Sequence, residues 1–139
     1  MTITVRSWAL VAIMIVLGHA FPVRAAEPCC RIAGHVRPTR THTVYIMLWR
    51  AANFLTTPTA VVRLSPDQPS DYSFTVTPGV WAVSAFEDVD ENGKLDMSWF
   101  GPTEPFAFTR PFHAPRKPRF DEVSFHVDHD LADLDLAIG

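Results

Sequence analysis

Residues 72–86 read YSFTVTPGVWAVSAF, and the reading of this stretch decides the fold. Tyr72, Phe74 and Val76 alternate with Ser73, Thr75 and Thr77, a period of two that predicts a strand with one apolar face. Pro78-Gly79 marks a turn. Residues 80–86 then place Trp81, Val83 and Ala85 on one face and Val80, Ala82, Ser84 and Phe86 on the other, which predicts a buried strand.

Outward from this pair, the same pattern recurs. Residues 43–49 (TVYIMLW) are rich in β-branched and aromatic side chains and predict a strong strand. Residues 31–36, closed by Pro38, and 61–64 predict shorter ones, with 65–70 (SPDQPS) as turn material after the latter. Towards the C-terminus, Val123, Phe125 and Val127 alternate with Ser124, His126 and Asp128. Leu134, Leu136 and Ile138 alternate with Asp133, Asp135 and Ala137. Both predict half-buried strands with one wet face. After residue 26 only 53–57 suggests a turn of helix, and twelve prolines in the chain disfavour helix interiors. Short strands separated by turn signals predict a sandwich or barrel.

The N-terminus reads as a targeting segment. Arg6 charges a short leading region, residues 8–17 (WALVAIMIVL) are an unbroken apolar run, and Val23-Arg24-Ala25 fits a cleavage site with the cut after Ala25. The run is short for an uncleaved anchor, which needs roughly 20 apolar residues. A signal peptide over 1–25 and one domain over 26–139 are expected, with no transmembrane span after cleavage and a periplasmic or secreted location. Cleavage removes two of the twelve basic residues and none of the fifteen acidic ones. The resulting acidic balance does not suggest a nucleic-acid binder. Cys29 and Cys30 are adjacent, so they cannot staple distant parts of the fold. A vicinal disulfide, an interchain bridge and free thiols all remain open.

One segment concentrates chemistry. Residues 87–96 (EDVDENGKLD) hold five acids and one amide against a single lysine. Asp88, Asp90 and Asn92 alternate, Gly93 permits a sharp turn, the Lys94 carbonyl follows, and Asp96 comes next. This is the ligand order of a hard-cation loop, with oxygens at positions one, three, five, seven and nine and glycine at six. Position twelve, a bidentate glutamate in an EF-hand, is Trp99 here, and the flanking segment is a strand. Glu104 would have to fold back to complete the shell. The candidate metal ligands are therefore Asp88, Asp90, Asn92, Lys94, Asp96 and Glu104, with calcium as the ion and a dissociation constant of roughly 10⁻⁴ to 10⁻³ M or weaker. The alternative is a solvated acidic turn held by Asx-type hydrogen bonds.

Residues 97–108 follow with Trp99, Phe100, Phe106 and Phe108 among Gly and Pro breaks. They predict a long loop over one end of the fold or, alternatively, a ligand-facing aromatic patch. Arg110, His113, Arg116, Lys117 and Arg119 form a proline-spaced basic stretch, read as a solvated loop docked against the acidic turn or as a contact for an anionic envelope surface. No catalytic residue is assigned. There is no Gly-x-Ser-x-Gly elbow, and the histidines do not have zinc-ligand spacing.

The run from Thr77-Pro78-Gly79-Val80-Trp81-Ala82-Val83 to Glu87-Asp88, the Asn92-Gly93-Lys94-Leu95-Asp96 loop and the Gly101-Pro102-Thr103-Glu104 segment resemble the bacterial domain of unknown function 2141 family. Phe120-Asp121-Glu122-Val123-Ser124-Phe125 is similar to the family's phenylalanine-plus-acid strand. The resemblance covers roughly 32–138. Trp81 stands where the family usually has tyrosine, and Phe106-Ala107-Phe108-Thr109 replaces a more polar segment. The resemblance implies an exported β-sandwich, similar to transthyretin-like or carboxypeptidase-regulatory-like modules, with no established activity. The expected fold is all-β: an immunoglobulin/transthyretin-like (prealbumin-like) antiparallel β-sandwich of about six to seven strands. The leading functional expectation is a non-enzymatic module with a calcium-binding loop. The alternatives are an envelope ligand- or protein-binding module with a purely structural acidic turn, and a metal-dependent periplasmic hydrolase.

Overall fold

The computed structural model describes residues 25–37, 41–113 and 115–139. All of the expected signal peptide except Ala25 lies outside the described residues. The fold is all-β. Its strands are β1 (Cys30–Arg37), β2 (Thr43–Trp49), β3 (Ala60–Leu64), β4 (Asp71–Val76), β5 (Gly79–Asp88), β6 (Met97–Ser98), β7 (Gly101–Pro102), β8 (Phe106–Phe108), β9 (Phe125–Val127) and β10 (Leu136–Ala137). One sheet has the order β10-β1-β4, another the order β3-β2-β5-β8 with β9 also on β5, and β6 and β7 form a small hairpin. Among the described residues no helix is long and apolar enough to cross a membrane.

Strand β5 organises the larger sheet because it is bonded along both edges. β2 runs beside 82–88, from Trp49 opposite Ala82 to Thr43 opposite Asp88. On the other edge β9 pairs with 79–81 and β8 with 84–86. Its inner face carries Trp81, Val83 and Ala85. These join Val44, Ile46 and Leu48 of β2 and Leu64 of β3 in one core with Ile32 and Val36 of β1, Tyr72, Phe74 and Val76 of β4, and Leu136. The strict alternation of buried and exposed residues along β4 matches a strand with one wet face.

The outer face of β5 is apolar too, which is why the strand reads as a continuous hydrophobic run. Ala82 packs there with Trp49, Phe108 and Val123, and Phe54, Phe112 and Phe120 cover this group. Val123 belongs to α1 (Phe120–Val123), so the strand expected from Val123 begins only at Phe125. Local chemistry explains the helical turn. Glu122 accepts the Arg119 N–H at 2.7 Å, and Asp121 and Glu122 sit at the end of the helix that favours negative charge. The helix turn expected at 53–57 appears slightly earlier, as a 3₁₀ turn over Ala51–Asn53.

Two further expectations need correction. The 97–108 segment is not simply a loop: it forms the β6–β7 hairpin and adds β8 to the sheet. The pairing is not wholly antiparallel either, because β10 runs parallel to β1, with Val36 opposite Leu136. The C-terminal segment follows β1 as an interrupted ladder in which acid side chains fill the gaps. Asp130 accepts the Arg31 N–H at 2.8 Å and Asp135 the His35 N–H at 3.0 Å. The close approach is made at Gly34, which faces the Leu134 backbone. A Cβ at Gly34 would lie 2.2 Å from the Leu134 oxygen. The Tyr72 hydroxyl donates to that same carbonyl, and burial, with Asp135 nearby, pushes the phenol's pKa up.

Gly34→Ala is expected to lose at least the about 1–3 kcal/mol of an overpacked core. A urea melt checks this: the midpoint should fall with little change in slope.

Candidate functional site

Asp88 is the last residue of β5 and lies on its outer face, so the strand delivers the 88–96 loop to the edge of that face. The loop turns sharply, with Glu91 and Gly93 both at positive φ, 59° and 77°. Asp88 is 1% exposed, and both its oxygens accept backbone N–H groups, from Asn92 at 3.1 Å and Gly93 at 2.8 Å. Glu104 folds back as the ligand set requires. It is 7% exposed and accepts the N–H of Val89 at 2.8 Å and of Asp96 at 3.1 Å, so it ties the two ends of the loop together.

One oxygen from each of Asp88, Asp90 and Glu104 lies within 4.8 Å of the others. None of these three, nor Asp96, forms an ion pair with a described residue. Partial desolvation, together with the like charges of Asp96 and Glu104, holds the Asp90 carboxyl above its ordinary pKa; the Asn92 N–H opposes this. Asn92 sits between the acids differently from a ready ligand. Its Nδ2 donates to Asp90 at 2.9 Å and to Asp96 at 3.1 Å, while its Oδ1 accepts the Lys94 N–H at 2.8 Å. Turning that amide over would aim Oδ1 at the carboxylates, as a shared cation requires, at the loss of these three hydrogen bonds. The Asx-type turn and the converging carboxylates are thus features of one loop. Glu87, although adjacent, is turned to the opposite face. It accepts the N–H groups of Thr41 at 2.9 Å and His42 at 2.8 Å, and these bonds outweigh desolvation to lower its pKa.

The aromatic segment divides. Trp99 and Phe100, at the tip of the β6–β7 hairpin, are 96% and 97% exposed. Phe106 and Phe108 enter the sheet beside β5, opposite Phe86 and Ser84. There they border a concavity of about 620 Å³ on the outer sheet face, in the part that α1 leaves uncovered. Met47 and Phe86 contribute strand side chains to it, Leu95 and Met97 come from the acidic loop and hairpin, and Leu55 from the segment after β2. The Tyr45 and Phe86 rings stack at 5.3 Å alongside. Ser84 is not a free hydroxyl: it accepts the buried Trp49 Nε1–H at 2.8 Å.

The basic stretch docks on α1 and not on the acidic turn. Arg116 forms a two-pronged pair with Glu122 at 2.9 and 2.6 Å, Arg119 pairs with Asp121 at 3.2 Å, and Arg110 donates to the Ser124 carbonyl at 2.8 Å. Sequence reasoning missed the concavity, because its strand residues are also good strand formers. The signal available was that 43–49 and 80–86 are apolar on both faces. Cys29 and Cys30 are free thiols, with sulfurs 3.1 Å apart.

No curated protein and no solved structure matches the chain. Residues 38–134 match the family described as "Uncharacterized protein conserved in bacteria (DUF2141)". That span takes in β2 to β9, the acidic loop and Glu104, and the chain belongs to this family.

Proposed function

We propose that the chain is an exported, non-enzymatic β-sandwich module of the immunoglobulin/transthyretin-like kind whose 88–96 loop, with Glu104, binds calcium. The observation that carries this reading is two buried carboxylates, Asp88 and Glu104, beside a third, Asp90, with no cationic side chain among the described residues paired to any of them. Buried charge is costly unless it is paired or bound to a metal. Backbone N–H groups already satisfy part of each carboxylate, but every oxygen has a second lone pair, and hard oxygen ligands of this number suit calcium. The ion would offset the repulsion that raises Asp90 and would fix the loop between β5 and β6.

A second reading, a module that binds an envelope ligand or protein, is favoured by a separate observation. Met97, Phe106, Phe108 and Lys117, drawn from the aromatic and basic segments, border one concavity.

At free calcium about ten times the dissociation constant, linkage gives about 1.4 kcal/mol of stabilisation, visible as a raised melting temperature. An unchanged melt at about 10 mM calcium, roughly ten times a millimolar dissociation constant, would end the calcium reading.

Two substitutions separate the ligands. The Asp90 carboxyl binds its proton more tightly in the folded chain, so its ionisation costs stability as pH rises from the unfolded value. Asp90→Asn should therefore keep or raise the calcium-free midpoint while weakening the calcium response, because an amide oxygen still ligates but carries no charge. Glu104→Gln leaves Val89 or Asp96 without its acceptor and should lower the calcium-free midpoint by about 1–3 kcal/mol. Calorimetric titration and thermal melts with and without chelator measure both effects.

A further inference from the structure

We infer that the concavity on the outer sheet face takes a single-chain alkyl carboxylate, its chain on the aromatic floor and its anionic head at Lys94 and Lys117. The inference rests on the second reading above, that the concavity is a binding site, and adds the class of ligand. Its volume, about 620 Å³, falls within the roughly 300–1,000 Å³ of small-molecule sites. Met47, Phe86, Phe106, Phe108 and Leu95 make its lining mainly apolar. Such a lining favours a ligand with an apolar body.

Charge selects the head group. Among the described residues no acid borders the concavity, but Lys94 and Lys117 both do. The arginines around them are engaged: Arg116 and Arg119 with Glu122 and Asp121, and Arg110 with the Ser124 carbonyl. The two lysine ammoniums form no ion pair with any described residue, although the chain is acidic overall. The neighbouring carboxylates of Asp88 and Glu104 are occupied with loop N–H groups and do not line the space. An anionic head meeting these ammoniums makes hydrogen bonds in which both partners are charged; a neutral head makes only the weaker bond to an uncharged acceptor, and a cationic head is repelled.

Isothermal titration of the purified protein with sodium dodecanoate and dodecyltrimethylammonium, each below its micelle concentration, and with dodecan-1-ol below its solubility limit, tests the inference. Dodecanoate is expected to bind saturably and about tenfold tighter than the alcohol. The double substitution Lys94→Glu with Lys117→Glu should weaken dodecanoate about tenfold and leave the alcohol unchanged. Both lysines are exposed, so folding is not at stake. Val61→Trp, at an exposed position bordering the space, should block both ligands. If the alcohol binds as tightly as dodecanoate, or the double variant binds dodecanoate normally, the anionic ligand is wrong while the binding site stands. If no probe binds, the site reading and the inference fall together.

Discussion

A ten-residue strand with no polar face has to be covered twice, and the rest of the molecule is arranged around that constraint on β5. Its inner face is met by the β10-β1-β4 sheet across the main core. Each buried aliphatic or aromatic side chain there contributes roughly 1.5–3 kcal/mol relative to exposure. The outer face is met only in part, by α1 and the phenylalanines packed with it. Where that cover stops, the sheet is left with an apolar floor and the concavity begins. The Trp49–Ser84 hydrogen bond lets two polar atoms sit in this layer without the cost of leaving them unpaired.

The same strand links the concavity to the acidic loop. Asp88 ends β5 on the outer face, so the loop emerges beside the aromatic floor, and Leu95 and Met97 become part of its wall. Anything that orders the loop therefore also shapes the concavity. Glu104 is the mechanical tie. By accepting N–H groups from Val89 and Asp96 it closes the loop on itself, and it sits four residues before Phe108 on the chain that forms β8.

Charges are sorted rather than mixed. The buried acids at the loop, Asp88 and Glu104, are held by backbone N–H groups, whereas the arginines after β8 are held by α1. There the hydrogen bonds of Arg116 bring Glu122 down to about 2. This sorting leaves Lys94 and Lys117 as the cations that border the concavity. The guanidiniums of the basic stretch hold a short helix in place.

The sequence by itself determined where the central strands lie: a period of two with one polar face marks β4, and β-branched and aromatic runs apolar on both faces mark β2 and β5. β2 falls where 43–49 predicts it, and β4 and β5 fall within a residue or two of the periodicity. The glycine and the alternating oxygens of the loop were legible for the same local reason. Only the tertiary structure decided what depends on distant chain meeting it. Val123 is helical because Arg119 and Glu122 cap it and Trp49 and Phe108 receive it. The last strand lies parallel to β1, and Gly34 lets the Leu134 backbone approach β1 closely. Glu104 reaches Asp88 and Asp90 because β8 returns alongside β5, and the concavity exists because α1 is too short to cover the whole outer face. Local patterns say which faces must be buried; how much partner surface arrives to bury them is a property of the folded chain.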